Sequence, residues 1–228
     1  MALPRLQSVL AACAAWLQRR RRAPTRQGAE RRWVVLDVES SGLDPQRDRL
    51  LAIAAIAVHV DGRLARIVLR DSFEVLLRQE SATPDHDNIL LHGIGVGAQR
   101  AGVERSVALA AFVQFAGGAP LVAFHAAFDR TLMERACRAE GVAPMDNCWL
   151  DWEPLAAVLQ PRVRARTLDQ WMAALGIVCS QRHQAAADTL ATAELMLKLW
   201  PALLRELPQP DGAGAVRLAA QRRWAGTA

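Results

Sequence analysis

Residues 33–38, Trp33-Val34-Val35-Leu36-Asp37-Val38, form an apolar, β-branched run broken by one acid, the pattern of a buried strand. Ser41-Gly42-Leu43-Asp44-Pro45 ends that run with turn chemistry. A second apolar run over 50–60 stops at Asp61-Gly62, a two-residue hairpin signal, and segments 64–69 and 73–77 complete an antiparallel set of strands. Helical periodicity then takes over, first at 107–115. A short buried strand at 121–124 follows Gly117-Gly118, and a helix over 128–140 stops at Gly141. Further helices are predicted at 152–159, at 168–175 (ended by Gly176) and at 185–204, the longest. Hairpin strands followed by alternating strands and helices predict an α/β architecture, a mixed central sheet flanked by helices.

The flanks read differently. Residues 1–32 are expected to be a basic extension, helical from about 6 to 22 and linker-like after that, containing the run Arg19-Arg20-Arg21-Arg22. Leu10-Ala11-Ala12-Cys13 superficially resembles a lipoprotein cleavage site. Its apolar stretch is short and arginines follow it directly, so an amphipathic helix is the favoured reading. The Pro/Gly-rich stretch 208–215 reads as a frayed tail or tether. The expected division is therefore 1–32 extension, 33–204 principal domain and 205–228 tail.

Composition narrows the partners. The net charge is +5, and Lys198 is the only lysine, so the positive charge is almost all arginine, whose planar fork suits phosphate. No apolar run reaches the ~18–20 residues of a membrane span. The four cysteines, Cys13, Cys137, Cys148 and Cys179, show neither metal-ligand spacing nor a disulfide framework, which fits a reducing cytoplasm.

Candidate chemistry rests on acids. Asp37 and Glu39 alternate with Val38 on one strand and so point to the same side. Two neighbouring carboxylates at the end of a buried strand repel each other unless a cation neutralises them, and hard divalent cations prefer such ligands. Asp129 opens a helix after a short strand. His183 and Asp188 would lie ~140° apart on one helix, so they share a site only if His183 belongs to the loop before it.

Taken together, these residues resemble the DEDD exonucleases of the histidine subclass, from about Trp33 to about Trp200. Val35-Leu36-Asp37-Val38-Glu39-Ser40-Ser41-Gly42-Leu43 is similar to that family's first motif, Asp-x-Glu-Thr/Ser-Thr/Ser-Gly-Leu/Met. Val122-Ala123-Phe124-His125-Ala126-Ala127-Phe128-Asp129 resembles the second, usually His-Asn-x-x-Phe-Asp. The stretch from Arg182 to Ala193 looks like the third, His-x-Ala-x-x-Asp before a Thr-Ala helix, and Leu91-His92-Gly93-Ile94 resembles an intermediate segment. The departures are Phe124 and His125, where histidine and asparagine are usual, and Ala52, where the second strand often carries glutamate.

The resemblance implies a ribonuclease H-like fold and a metal-dependent 3′→5′ exonuclease. Two divalent cations, Mg²⁺ or Mn²⁺, would bind Asp37, Glu39, Asp129 and Asp188, with His183 as general base. An unperturbed imidazole suits that task near neutral pH. Ser40, Ser41, Gly42, Leu43 and Phe128 would approach the terminal nucleotide. The implied substrates are single-stranded DNA or RNA 3′ ends, and a DNA polymerase is an open partner. Two other readings stand beside this one. A weakly active binding module is disfavoured by the intact acids, and a ribonuclease H-like endonuclease is disfavoured by the His183 motif.

Overall fold

A computed structural model describes residues 31–61, 63–80 and 86–221. The basic extension predicted for 1–32 lies outside the described residues except for Arg31 and Arg32. In chain order the elements are β1 (Arg31–Ser40), β2 (Leu50–Asp61), β3 (Leu64–Leu76), α1 (His86–His92), α2 (Val96–Ala101), α3 (Arg105–Ala116), β4 (Leu121–Ala123), α4 (Ala126–Ala139), β5 (Trp149–Asp151), α5 (Trp152–Leu159), α6 (Leu168–Leu175), α7 (Ala185–Glu206) and α8 (Gly212–Ala220).

The five strands form one sheet in the order β3-β2-β1-β4-β5. β1 pairs antiparallel with β2 and parallel with β4; β2 pairs antiparallel with β3, and β4 parallel with β5. A strand in the middle of such a sheet is covered on both faces, which explains the continuous apolar run from Trp33 to Leu36 that opens the domain. Its alternate side chains feed two cores. Trp33 and Val35 pack with Trp152, Trp171, Leu199 and Trp200 under α5, α6 and α7, where the rings of Trp33 and Trp200 meet edge to face at 5.8 Å. Val34, Leu36 and Val38 pack on the other face with Leu109, Phe112, Leu132 and Met133 of α3 and α4.

The structure corrects several expectations. The predicted segments 64–69 and 73–77 are one strand, β3. Its pairing with β2 is irregular: Ile56 faces Ser72 and Ala57 faces Val68, so residues 69–71 bulge outward. Asp71 of that bulge turns back to accept from Arg32 Nε at 2.8 Å and lies 2.8 Å from His59 Nε2, tying the bulge to β1 and β2. The helices α1 and α2 and the three-residue strand β5 are additions to the expected set.

The expected frayed stretch 208–215 instead leads into the packed helix α8. Asp211 caps it, its side chain accepting from the backbone N–H of Gly214 at 2.6 Å. The composition misled because these glycines serve close packing: a Cβ on Gly212 would stand 3.0 Å from Cys148 Sγ and 3.1 Å from Pro120. Ala215 is fully buried in the same core as Trp33.

Candidate active site

β1 carries Asp37 and Glu39 on the side that Trp33 and Val35 take, facing α7. Their partners on β2 are Ala54 and Ala52. Both are small and buried, which leaves room for the first turn of α7. Thr189 on α7 fixes that approach, its hydroxyl donating to the Ala54 carbonyl at 3.3 Å. Ala52, a departure from the resembled family, is buried beside Leu51 and Ile94.

Two helix N-termini point their acids inward. Asp129, in the first turn of α4, is 4% exposed and accepts from the Val38 backbone N–H and from its own. Asp188, in the first turn of α7, is 6% exposed. Glu39 accepts from the backbone N–H of Ala185, the first residue of α7, a helix end that favours negative charge.

The acids are close enough to disturb one another. Burial, then repulsion by Asp129, Glu39 and Asp188, pushes the Asp37 carboxyl well above the usual range. Burial, then Asp188, pushes Glu39 up to about 7. Burial, with smaller contributions from Asp151 and Glu39, pushes Asp129 up to about 8. A set of oxygen donors, buried at Asp129 and Asp188 and half-buried at Asp37 and Glu39, that resist ionising together suits a hard divalent cation, which would supply the missing positive charge. Among the described residues, however, no three carboxylate, imidazole or thiol groups already stand as a finished ligand cage.

His183 lies outside α7, in the loop before it, as sharing a site with Asp188 requires. It adopts a left-handed conformation (φ 60°), and its backbone N–H donates to Asp188 Oδ2 at 3.1 Å. Its imidazole is exposed. His125 is the other non-glycine residue with positive φ among the described residues (63°). It caps α4, and its N–H donates to Asp151 Oδ1 at 3.0 Å. The family's usual asparagine at this place also tolerates that conformation, so the substitution keeps the backbone turn.

The loop after β1 is built around Asp48. Its Oδ2 accepts from the Asp44 N–H at 2.8 Å, and its Oδ1 meets the Ser41 hydroxyl at 3.1 Å. A Cβ on Gly42 would fall 2.5 Å from Asp48 Oδ2, so any larger residue there must push the Asp48 carboxylate aside. Leu43 projects from this loop at 89% exposure. The Asn88 side chain donates to the Ser40 carbonyl at 2.8 Å and docks α1 beside the loop. Phe128 is half-buried and packs against the α3–α4 core.

Sequence reasoning passed over Arg182, Asp169 and Asp151. Arg182 stands at the head of the third motif, with no role of its own in that pattern. Its guanidinium contacts Asp188 Oδ1 through Nη1, while Nε donates to Asp169 Oδ1 at 2.6 Å. Asp169 and Asp151 sit at helix starts, where an acid is ordinarily a cap. Nothing in sequence spacing marks either as facing the acidic cluster.

The mixed sheet, with its antiparallel β3-β2-β1 half and parallel β1-β4-β5 half, is a ribonuclease H-like fold. E. coli exonuclease I in complex with a dT13 oligonucleotide matches it with a TM-score of 0.66 at 18% identity, over 78% of this chain and 43% of that one. The chain belongs to the RNase_T-type exonuclease family, which it matches over residues 34–196. A DNA polymerase III subunit epsilon-like protein of Rhodobacter capsulatus is 36% identical over 178 residues, 75% of this chain and 24% of that protein. A PolC-type DNA polymerase III of Bacillus cereus is 30% identical over 75% of this chain and 11% of that protein. The chain therefore spans a quarter or less of the length of these relatives.

Proposed function

We propose that this chain is a divalent-metal-dependent 3′→5′ exonuclease that removes nucleoside 5′-monophosphates from single-stranded nucleic-acid 3′ ends. The observation that carries the reading is the convergence of Asp37, Glu39, Asp129 and Asp188 at the end of β1, each raising a neighbour's pKa or having its own raised. The family match over 34–196 supports the hydrolytic class.

Asp37, Glu39 and Asp188 would hold one cation, with Asp37 and Asp129 holding the second; Mg²⁺ and Mn²⁺ suit this all-oxygen donor set. Two such ions, when bound, stabilise the attacking and leaving oxygens of an in-line displacement. His183, exposed at the site's rim, takes the proton from the attacking water as that oxygen bonds to phosphorus. The bond from phosphorus to the 3′ oxygen breaks, and the shortened strand leaves with that oxygen protonated by solvent. The loop Ser40-Ser41-Gly42-Leu43 meets the terminal nucleotide, with exposed Leu43 against its base and Phe128 supporting the α4 side.

The relatives named as DNA polymerase III proteins favour DNA, and proofreading or repair, as the setting. Digestion of 3′-labelled and 5′-labelled single-stranded DNA and RNA with Mg²⁺ or Mn²⁺ tests the reading. A 3′ label is expected in mononucleotide at the earliest times, while a 5′ label shortens stepwise. Internal fragments at early times, or activity in chelator, would overturn it.

A further inference from the structure

Among the described residues, Arg182 is a cation in contact with the acidic cluster. Its Nη1 contacts Asp188 Oδ1. The opposite edge of the guanidinium engages Asp169 twice, Nε at 2.6 Å and Nη2 at 3.4 Å. Counting side chains alone, Arg182 is 24% exposed, Asp188 9% and Asp169 60%. The positive charge of Arg182 reaches further, lowering the pKa of both Asp37 and Glu39 against the rise that burial imposes.

Two features separate this arrangement from an ordinary ion pair. The guanidinium is held from both edges by carboxylates of different character: a buried one that belongs to the acidic cluster and a largely exposed one on α6. A planar fork anchored side-on to Asp169 keeps its orientation when Nη1 lets go, because two of its three nitrogens remain bonded. Asp188 Oδ2 is meanwhile held by the His183 backbone, so Oδ1 is the oxygen that Arg182 covers.

We propose that Arg182 is a positioning residue that stands in for a cation at Asp188 in the metal-free protein and is exchanged for the incoming divalent ion, with Asp169 retaining it after the exchange. The pair offsets the repulsion among the four acids while no ion is bound. It also makes the protein compete with its own cofactor, so that Arg182 and Asp169 together set the affinity for metal. This rests on the reading of the four acids as a cation site.

The test is calorimetric titration of Mn²⁺ into the metal-free full-length chain, its R182Q and D169N variants and the double variant. R182Q is expected to bind Mn²⁺ roughly 10-fold more tightly, the scale of one charge-assisted hydrogen bond no longer broken on binding. D169N is expected to bind several-fold more weakly, because the whole charge of Arg182 then falls on Asp188. In the double variant the D169N effect should vanish. Equal weakening by D169N with and without Arg182 would mean that Asp169 acts only through its field, and would overturn the exchange. So would unchanged or weaker binding by R182Q. If R182Q does not fold, R182M and its D169N double variant take its place in the same comparison, and an unchanged or tighter value in D169N alone overturns the proposal. Absence of Mn²⁺ uptake by the wild type overturns the cation site itself, an outcome distinct from uptake that ignores Arg182.

Discussion

The backbone N–H of His183 donates to the side chain of Asp188 at 3.1 Å, across five residues that on one continuous helix would point ~140° apart. The left-handed turn at His183 makes this possible, bending the chain so that the residue before the helix closes back on its first turn. The same bond fixes one carboxylate oxygen of Asp188 and the direction in which the His183 side chain leaves the backbone.

His183→Asn is therefore the informative variant at this position, since asparagine tolerates the left-handed conformation that alanine resists. The turn should survive while the proton acceptor is lost. A fall in kcat of ~10²–10⁴-fold is expected, with Mn²⁺ affinity little changed. Steady-state kinetics at saturating substrate and Mn²⁺ check this, and near-complete retention of kcat would assign His183 a purely structural part.

Metal-free protein should lose stability as pH rises. The folded pKa values of Glu39 (about 7) and Asp129 (about 8) lie above their ordinary values, and Asp37 shifts the same way. The folded chain thus holds more protons than the unfolded one at neutral pH. Stability present below about pH 4 is lost as pH climbs through 7 to 8, by something of the order of 3 kcal/mol for Glu39 alone. Melting temperatures in chelator should fall from pH 5 to 8.5, Asp129→Asn should flatten the decline, and Mn²⁺ should oppose it. A flat profile in the wild type would contradict the burial and repulsion inferred for these acids.

Gly42→Ala should disturb the loop after β1 without touching the acids. The new methyl would displace the Asp48 carboxylate, with its bonds to Asp44 and Ser41. Two strained or lost hydrogen bonds predict ~1–2 kcal/mol of destabilisation. KM should rise several-fold, as expected if this loop holds the terminal nucleotide. Asp48→Ala should reproduce both effects; normal KM in both variants would remove the loop from substrate binding.

Ala54→Leu should separate α7 from β1. Ala54 is 2% exposed, pairs with Asp37 across the sheet and accepts from Thr189. Overpacking there is expected to cost ~1–3 kcal/mol. Nuclease activity should fall well beyond what unfolding explains, because Asp188 rides on α7 while Asp37 stays on β1. Urea titration beside initial rates, both at 25 °C, separates the two effects.

Much of the fold could be read in advance because local sequence already carries it. A central strand covered on both faces is apolar where it is covered, and β1 is so from Trp33 to Leu36. Alternation put Asp37 and Glu39 on one side, and capping and periodicity gave α3, α4, α6 and α7 nearly their observed bounds. Motifs in order along the chain named the acids that the structure brings together. Only tertiary structure decided the rest. β5 is three residues long, too short for any period, and exists because β4 offers it an edge. The glycines of α8 read as disorder until Pro120, Cys148 and Leu207 appear against them. Ala54 looks unremarkable until α7 lies across it. Arg182 looks like one arginine among many. Its engagement with both Asp169 and Asp188 depends on two helices meeting at their N-termini, a distance in space that sequence separation does not encode.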